Sequence, residues 1–345
     1  MRRIPRILAL LAALTLVAAS CGDDDTDAGS GDRPTVVVTT NILGDVVENL
    51  TGGAVEVVTI MPVGADPHDF QASAQQAAAM RDADVLIVNG LGFEEGLLDV
   101  IEGAESDGVP VYEAISAVAT IEFAEGGHDD HDDHEGEEDH DHEGEEGHDD
   151  EDHAHEGEEG HDDHEHSGGD PHFFTDPARM AKAVDGIAEF LIENVDGIDA
   201  DAISEAAEAY HDELEELDAE VESLLAAIPE SDRVLITNHA VFGYFADRYG
   251  FEVAGAVIPT GSTIDGTSAG ELAELAELIE DEGVAAIFSD TSASNELAQT
   301  LAYEVGDIAV VALFTESLGD SDSEGATYVD MVRTNAKRIA DGLAS

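Results

Sequence analysis

The sequence of 345 residues is short of basic residues and of cysteine, and each shortage excludes a class of function. Only 12 Lys and Arg stand against 81 Asp and Glu, which gives a formal net charge of −69 at neutral pH. So few cations cannot form a basic patch, which excludes binding to nucleic acid or to anionic lipid through such a patch. The acidity instead favours cation binding, or solubility at high salt.

The single cysteine, Cys21, excludes an intramolecular disulfide and any zinc site built from several cysteines. It follows a basic start with three arginines and an apolar run, residues 7–19, that is too short to span a bilayer comfortably. This pattern resembles a bacterial lipoprotein signal, residues 1–20, cleaved before a lipid-bearing Cys21. The alternative is an ordinary signal peptide with an incidental cysteine. Residues 21–33 are then a flexible tether, and the protein is expected on the outer face of the cytoplasmic membrane.

Large apolar side chains are missing from residues 128–166, where 11 His and 22 Asp or Glu occupy 39 positions. Such a segment cannot bury enough apolar surface to offset the entropy of ordering, so we expect a disordered loop over residues 125–169. Imidazoles and carboxylates are metal ligands, which favours several weak metal sites over a purely solubilising acidic spacer. The histidines of this loop are His128, His131, His134, His140, His142, His148, His153, His155, His161, His164 and His166.

The rest of the chain alternates short apolar runs with segments of helical periodicity. The runs predict strands at 35–39, 55–60, 85–88, 109–112, 233–237, 252–254, 285–288 and 309–313. Helices are predicted at 41–50, 72–83, 94–102, 177–194, 201–227, 270–282, 295–305 and 327–343. This alternation predicts an α/β protein with parallel sheets, divided into an N-terminal lobe (34–197) and a C-terminal lobe (229–345). Residues 198–228 contain a long amphipathic helix that is expected to connect the lobes stiffly.

Three of the four histidines outside the loop lie in distinctive turns, and we interpret them as metal ligands. His68 and His172 each follow Asp-Pro, and His239 follows Thr-Asn. His68 and His239 come after predicted strands, where ligands bind in open α/β sheets. The prolines ahead of His68 and His172 stiffen the presentation of the rings. His211 lies on the acidic helix and is expected to be a solvated surface residue.

A fourth ligand should be a carboxylate, because no further cysteine is available. Asp290 and Glu316 each follow a predicted strand and remain alternatives, although either could instead cap the following helix. Three imidazoles and one carboxylate form a nitrogen-rich set, which suits Zn²⁺ better than Mn²⁺.

In their order along the chain, these motifs resemble the ZnuA/TroA-type solute-binding lipoproteins of zinc and manganese ABC importers. The motifs are Gly-Ala-Asp-Pro-His68, Asp-Pro-His172, Thr-Asn-His239-Ala-Val-Phe-Gly-Tyr244 and Leu-Phe-Thr-Glu316-Ser-Leu-Gly. The resemblance implies two lobes joined by a single long rigid helix, with a metal between the lobes held by His68, His172, His239 and Glu316. The family usually has Asp at the last position. A loop rich in His and acidic residues before the second histidine is typical of the zinc-specific members of the family.

The resemblance also implies a function. It predicts a monomeric, non-enzymatic receptor, lipid-anchored through Cys21, that captures Zn²⁺ as cargo and delivers it to an ABC permease and its ATPase. A manganese-binding member of the same family remains an alternative, as does a metal buffer or adhesin without a transporter. A zinc hydrolase is disfavoured, because the sequence has no HExxH motif and no evident nucleophile arrangement.

Overall fold

The computed structural model describes residues 33–123, 169–264, 266–306 and 308–344. The chain divides into two units, Met1–Arg33 and Pro34–Ser345, and all described elements belong to the second. The strands are β1 (Thr35–Val38), β2 (Glu56–Thr59), β3 (Val85–Val88), β4 (Val111–Glu113), β5 (Val234–Thr237), β6 (Glu252–Ala256), β7 (Ala286–Asp290) and β8 (Ala309–Leu313). The helices are α1 (Asn41–Thr51), α2 (Ala74–Arg81), α3 (Leu98–Ser106), α4 (Pro177–Asn194), α5 (Ala200–Leu225), α6 (Gly243–Tyr249), α7 (Ala269–Glu282), α8 (Glu296–Glu304) and α9 (Tyr328–Leu343).

The strands form two parallel sheets with the same topology, in the orders β2-β1-β3-β4 and β6-β5-β7-β8. In the first sheet, Val37 pairs with Val58 and Leu86 on its two sides. The central strands consist mostly of apolar residues, as expected for parallel sheets covered on both faces. The carboxyl ends of the strands in each sheet point to one edge, where ligand-binding turns belong. The predicted α/β fold with two parallel-sheet lobes is confirmed.

Successive side chains of each strand point to opposite faces of its sheet, because a strand has a period of two residues. Val36 and Val38 of β1 face the largest core cluster, which also contains Leu217 of α5 and Phe288 of β7. Val37 of β1 faces a separate, smaller cluster. The main core therefore runs through both lobes and includes the long helix between them.

Helix α5 links the lobes. Its 26 residues span about 39 Å at the usual rise of about 1.5 Å per residue. Asp199 caps its N-terminus, and the predicted apolar stripe of Leu214, Leu217, Val221 and Leu225 is fully buried. The helix packs against α1 and α4 of the N-terminal lobe and against α9 of the C-terminal lobe. It therefore forms a continuous connection between the lobes, and its apolar face is buried.

The structure corrects the sequence prediction at two helices. Helix α6 was not predicted, because it has only seven residues and no side-chain cap; burial of Tyr244 and Phe245 stabilises it instead. The helix predicted at 94–102 begins as a 3₁₀ turn and becomes α3 only at Leu98. Glu94 itself has a non-helical backbone, and its buried carboxylate accepts hydrogen bonds from Thr39 Oγ1 and the Asn89 N–H, both at 2.6 Å.

The edges of the predicted loop are also clearer in the structure. Gly169, which the sequence placed in the disordered segment 125–169, forms an isolated antiparallel bridge with Glu122. Residues 124–168 lie outside the described residues, as does the predicted signal segment. Within the described ranges, no helix has both the length and the apolar character that crossing a bilayer requires.

Candidate metal centre

His68 lies in the turn that leaves β2. The Met61 N–H donates to the carbonyl of Thr39 at 2.9 Å, which holds the start of this turn against β1. Asp66 accepts the His68 backbone N–H at 3.0 Å, and Pro67 between them restricts the backbone. The local sequence therefore sets the direction of the ring, and the residue is only 2% exposed.

His172 sits in a second turn of the same type, ahead of α4. Asp170 accepts the His172 backbone N–H at 2.9 Å, and its Oδ1 is also 2.7 Å from the ring nitrogen Nδ1. Thr175 Oγ1 donates to the His172 carbonyl, and Asp176 caps α4 by accepting the Ala178 N–H at 2.8 Å. The helix start and the histidine turn are thus built as one unit.

His239 follows β5 in the other lobe. Thr237 Oγ1 donates to the His239 carbonyl at 2.7 Å. The N–H of the next residue, Ala240, donates to the Thr260 carbonyl, which ties this turn to the segment after β6. The His239 side chain is fully buried.

Glu316 lies in the turn after β8. Asn335 of α9 clamps this turn, because its amide donates to the Phe314 carbonyl at 2.6 Å and accepts the Phe314 N–H at 2.9 Å. The buried carboxylate of Glu316 therefore projects from a fixed backbone.

These four side chains meet. Glu316 Oε1 lies 2.8 Å from Nε2 of His68, 3.2 Å from Nε2 of His172 and 3.1 Å from Nε2 of His239. One potential ligand atom from each residue lies within 4.8 Å of all the others. In a tetrahedral zinc site with bonds of about 2.0–2.1 Å, ligand atoms stand about 3.3 Å apart. Small shifts of these side chains would therefore let the set enclose a single cation.

The electrostatics of the cluster fit a cation as well. Burial by itself lowers the pKa of His68, but the surrounding carboxylates, Glu316 first, outweigh it and raise that pKa to about 10. Burial likewise opposes protonation of His172, yet Asp170 and Glu316 raise its pKa. Burial favours the neutral form of Glu316, but the neighbouring His239 and His68 bring the pKa of its carboxyl well below the usual range. Without metal, protons balance the buried carboxylate, and a bound cation would displace them.

Asp290, the alternative fourth ligand, is buried at the end of β7 but is not part of this set. Its carboxylate accepts the Ser292 backbone N–H at 2.7 Å and the Ser292 hydroxyl at 2.8 Å. Burial, and then the charge of Glu316, raise the pKa of Asp290. Of the two carboxylates that the sequence left open, Glu316 is the one that the fold brings to the three histidines.

Other predicted site residues fall elsewhere. The eleven loop histidines from His128 to His166, and Cys21, lie outside the described residues. His211, expected to be solvated, is partly buried instead, and its Nδ1 lies 3.0 Å from Asp185 Oδ1 on α4.

Two carboxylates beside the imidazoles were missed as site residues. Asp170 contacts the ring of His172, and Glu95 Oε1 lies 3.0 Å from Nδ1 of His68. A signal for Asp170 was present, because an aspartate two positions before the histidine occurs in both Asp-Pro-His turns. No pattern singles out Glu95, which is 27 positions from its histidine.

Direct hydrogen bonds join the lobes near the centre. The Asn41 side chain donates to Ser317 Oγ at 3.0 Å and accepts the Leu318 N–H at 2.7 Å. Thr263 Oγ1 donates to the Asp66 carboxylate at 2.6 Å, so the His68 turn is bonded to the other lobe.

Fold and site together define a metal-binding solute-binding protein of the kind that serves ABC importers. Residues 36–342 match the family described as ZnuA: Zinc-uptake complex component A periplasmic, and the chain belongs to this family. The predicted family is therefore confirmed. Because the relatives are solute-binding proteins, the prediction that the chain is not an enzyme is confirmed as well.

Individual relatives are similar along nearly their whole length. The manganese-binding lipoprotein MntA of Halalkalibacterium halodurans is 27% identical over 97% of this chain and 97% of that protein. The zinc-binding protein TroA of Treponema pallidum is 28% identical over 92% of this chain and 91% of that protein. The solved structure of periplasmic zinc-binding TroA from Treponema pallidum superposes with a TM-score of 0.74 at 26% identity, covering 91% of this chain and all of that one.

Proposed function

We propose that the protein is an extracytoplasmic receptor for Zn²⁺, which it holds with His68, His172, His239 and Glu316 and delivers to an ABC permease and its ATPase. The convergence of three imidazole nitrogens on one buried carboxylate oxygen carries this proposal. Zinc accepts four ligands of this kind in a tetrahedral arrangement. The name of the zinc-binding relative TroA supports the same cargo.

Manganese is the second candidate, and the names of relatives favour it. MntA of Halalkalibacterium halodurans and PsaA of Streptococcus pneumoniae are both named for manganese. The donor set argues the other way, because Mn²⁺ prefers more oxygen ligands and binds nitrogen ligands less tightly than Zn²⁺ does. We therefore place zinc first.

The N-terminal residues support a proposal about the location of the protein. We propose that residues 1–20 are removed and that a lipid on Cys21 holds the monomeric protein at the outer face of the membrane through the tether 21–33. The relatives MntA, FimA and PsaA are all named as lipoproteins, which supports this anchor. We further propose that the histidines of residues 128–166 bind additional metal weakly, because many interchangeable imidazole and carboxylate ligands are available there.

Metal competition on a loop-deleted protein tests the cargo and the site together. A chain without residues 128–166 should bind one Zn²⁺ tightly in competition with a chelator, and Mn²⁺ much more weakly. His239→Ala should weaken zinc binding by more than about 10–100-fold, which is the loss typical of replacing a residue that contacts only a metal ligand. His211→Ala is the matched control, because it removes an imidazole elsewhere. Tighter binding of Mn²⁺ would establish the manganese alternative, and unchanged affinity in His239→Ala would remove that residue from the site.

A further inference from the structure

The three histidines of the centre differ in what faces their second ring nitrogen. Nδ1 of His68 lies 3.0 Å from Glu95 Oε1, and Nδ1 of His172 lies 2.7 Å from Asp170 Oδ1. Nδ1 of His239 is buried and has no hydrogen-bond partner among the described residues. A carboxylate therefore contacts Nδ1 of two of the imidazoles, whereas only packing surrounds Nδ1 of the third.

This difference matters for the chemistry of a metal ligand. A neutral imidazole that binds a cation through Nε2 must carry its proton on Nδ1. A buried N–H needs an acceptor, and the acceptor fixes both the tautomer and the orientation of the ring. Glu95 and Asp170 place such an acceptor directly behind His68 and His172.

In the two Asp-Pro-His turns, the acceptor for the Nδ1–H comes from different positions in the sequence. Asp66 occupies the position that Asp170 has in the second turn, and it also accepts the backbone N–H of its histidine. Its other oxygen, however, accepts the hydroxyl of Thr263 from the opposite lobe. Asp66 thus joins the lobes, and the ring of His68 depends on Glu95, which belongs to a distant segment of the chain.

Glycines make room for both carboxylates. A Cβ at Gly96 would overlap the carbonyl oxygen of Phe70, so only glycine lets the turn that carries Glu95 approach the His68 segment. A Cβ at Gly243, at the start of α6, would come within 2.5 Å of Asp170 Oδ2. The backbone is therefore built so that these carboxylates reach the histidines.

We propose that Glu95 and Asp170 are positioning residues of the metal centre, each of which holds the Nδ1 proton of its histidine and keeps Nε2 available to the cation. Neither carboxylate touches the cation itself. The inference rests on the proposed role of His68 and His172 as zinc ligands. It predicts that removing either carboxylate weakens metal binding through the histidine that it contacts.

Zinc affinity of the full chain, measured by chelator competition, is the first test. Glu95→Ala and Asp170→Ala should each weaken binding by about 10–100-fold. Glu95→Gln and Asp170→Asn keep an oxygen acceptor and should recover part of the loss. Asp185→Ala is the matched control, because it removes the carboxylate from the equivalent contact with His211, away from the centre. Its zinc affinity should equal that of the parent.

Imidazole NMR of the zinc-loaded protein separates positioning from a general loss of structure. We expect exchange-protected Nδ1–H signals for His68 and His172. Glu95→Ala should remove the His68 signal alone, and Glu95→Gln should restore it. A purely structural role would lower the melting temperature without this selective loss. Should Asp170→Ala fail to fold, Asp170→Asn and the two Glu95 variants decide the question.

The outcomes distinguish this inference from the proposed function. If the parent protein binds no zinc tightly, the proposed function is wrong. If the parent binds zinc tightly and the Glu95 and Asp170 variants keep the same affinity and both protected signals, the positioning role alone is wrong.

Discussion

Zinc binding should release a proton at pH values where an ordinary histidine has none to release. An unperturbed imidazole has a pKa of about 6.5 and is already neutral at about pH 8. In the metal-free protein the pKa of His68 is about 10, because Glu316 and Glu95 face it and outweigh the effect of burial. The other titratable rings packed against it are His172 and His239, and the apolar ring of Phe93 also contacts it. Zn²⁺ must therefore displace a proton from His68 throughout the neutral and mildly alkaline range.

Linkage gives the size of the effect. For each proton displaced, the logarithm of the apparent affinity rises by about one unit per pH unit. With a pKa of about 10, His68 alone should raise the zinc affinity about 100-fold between about pH 7 and pH 9. The pKa of His172 is raised as well, so each proton that zinc displaces from this ring adds to the slope.

Chelator competition across this pH range measures the slope, and calorimetry in buffers of different protonation enthalpy counts the protons. Glu316→Gln is the control, because it removes the charge that contributes most to raising the pKa of His68. Burial then dominates, so the variant should release about one proton fewer above about pH 7, besides binding zinc more weakly. An affinity in the parent protein that stays flat from about pH 7 to pH 9 would refute the reasoning.

Protonation of His68 also affects the stability of the metal-free protein. This stability should fall as the pH rises, whereas the zinc affinity should increase. The folded pKa of His68 lies above its unfolded value, so protonation stabilises the fold fully below about pH 6.5. That contribution is lost as the pH rises through about 10. The melting temperature of the metal-free protein should therefore fall over this window, while the increase produced by zinc grows.

Three further predictions concern other parts of the chain. Asn41→Ala removes the hydrogen bonds to Ser317 and Leu318 that join the lobes, and it should lower the free energy of unfolding by about 1–3 kcal/mol in urea denaturation; a change within error would mean that these bonds do not hold the lobes. Cys21→Ala should leave the protein without a lipid, as mass analysis and membrane fractionation would show, and a parent protein that lacks lipid at this position would exclude the anchor. Deleting residues 128–166 should remove several weak zinc sites and keep one tight site in a metal titration, and loss of the tight site would contradict this division.

Much of the fold could be predicted because its determinants are local. The apolar runs of β1, β3, β5 and β8 lie within one residue of their predicted limits. Asp176 followed by Pro177 gave the start of α4, since a side-chain cap and a fixed proline φ act within one turn. Helix α6 could not be predicted, because the burial of Tyr244 and Phe245 stabilises it and no local sequence pattern shows that burial.

The sequence alone determined the types of residue available to the candidate site. With one cysteine and few histidines outside the loop, His68, His172 and His239 stood out by their turns, whose geometry depends on adjacent residues. Their order along the chain was enough to indicate the family. The sequence left two carboxylates open as a fourth ligand, because each followed a strand in the same way.

Only the tertiary structure decided which side chains meet. Glu316 reaches His68 across 248 positions of sequence, while Asp290, also buried, accepts hydrogen bonds from Ser292 two positions further along the chain. Glu95 faces His68 because the backbone at Gly96 packs closely against the preceding turn. Such contacts depend on how two sheets and the helix between them pack together, and the energies that fix this packing come from residues far apart in the chain.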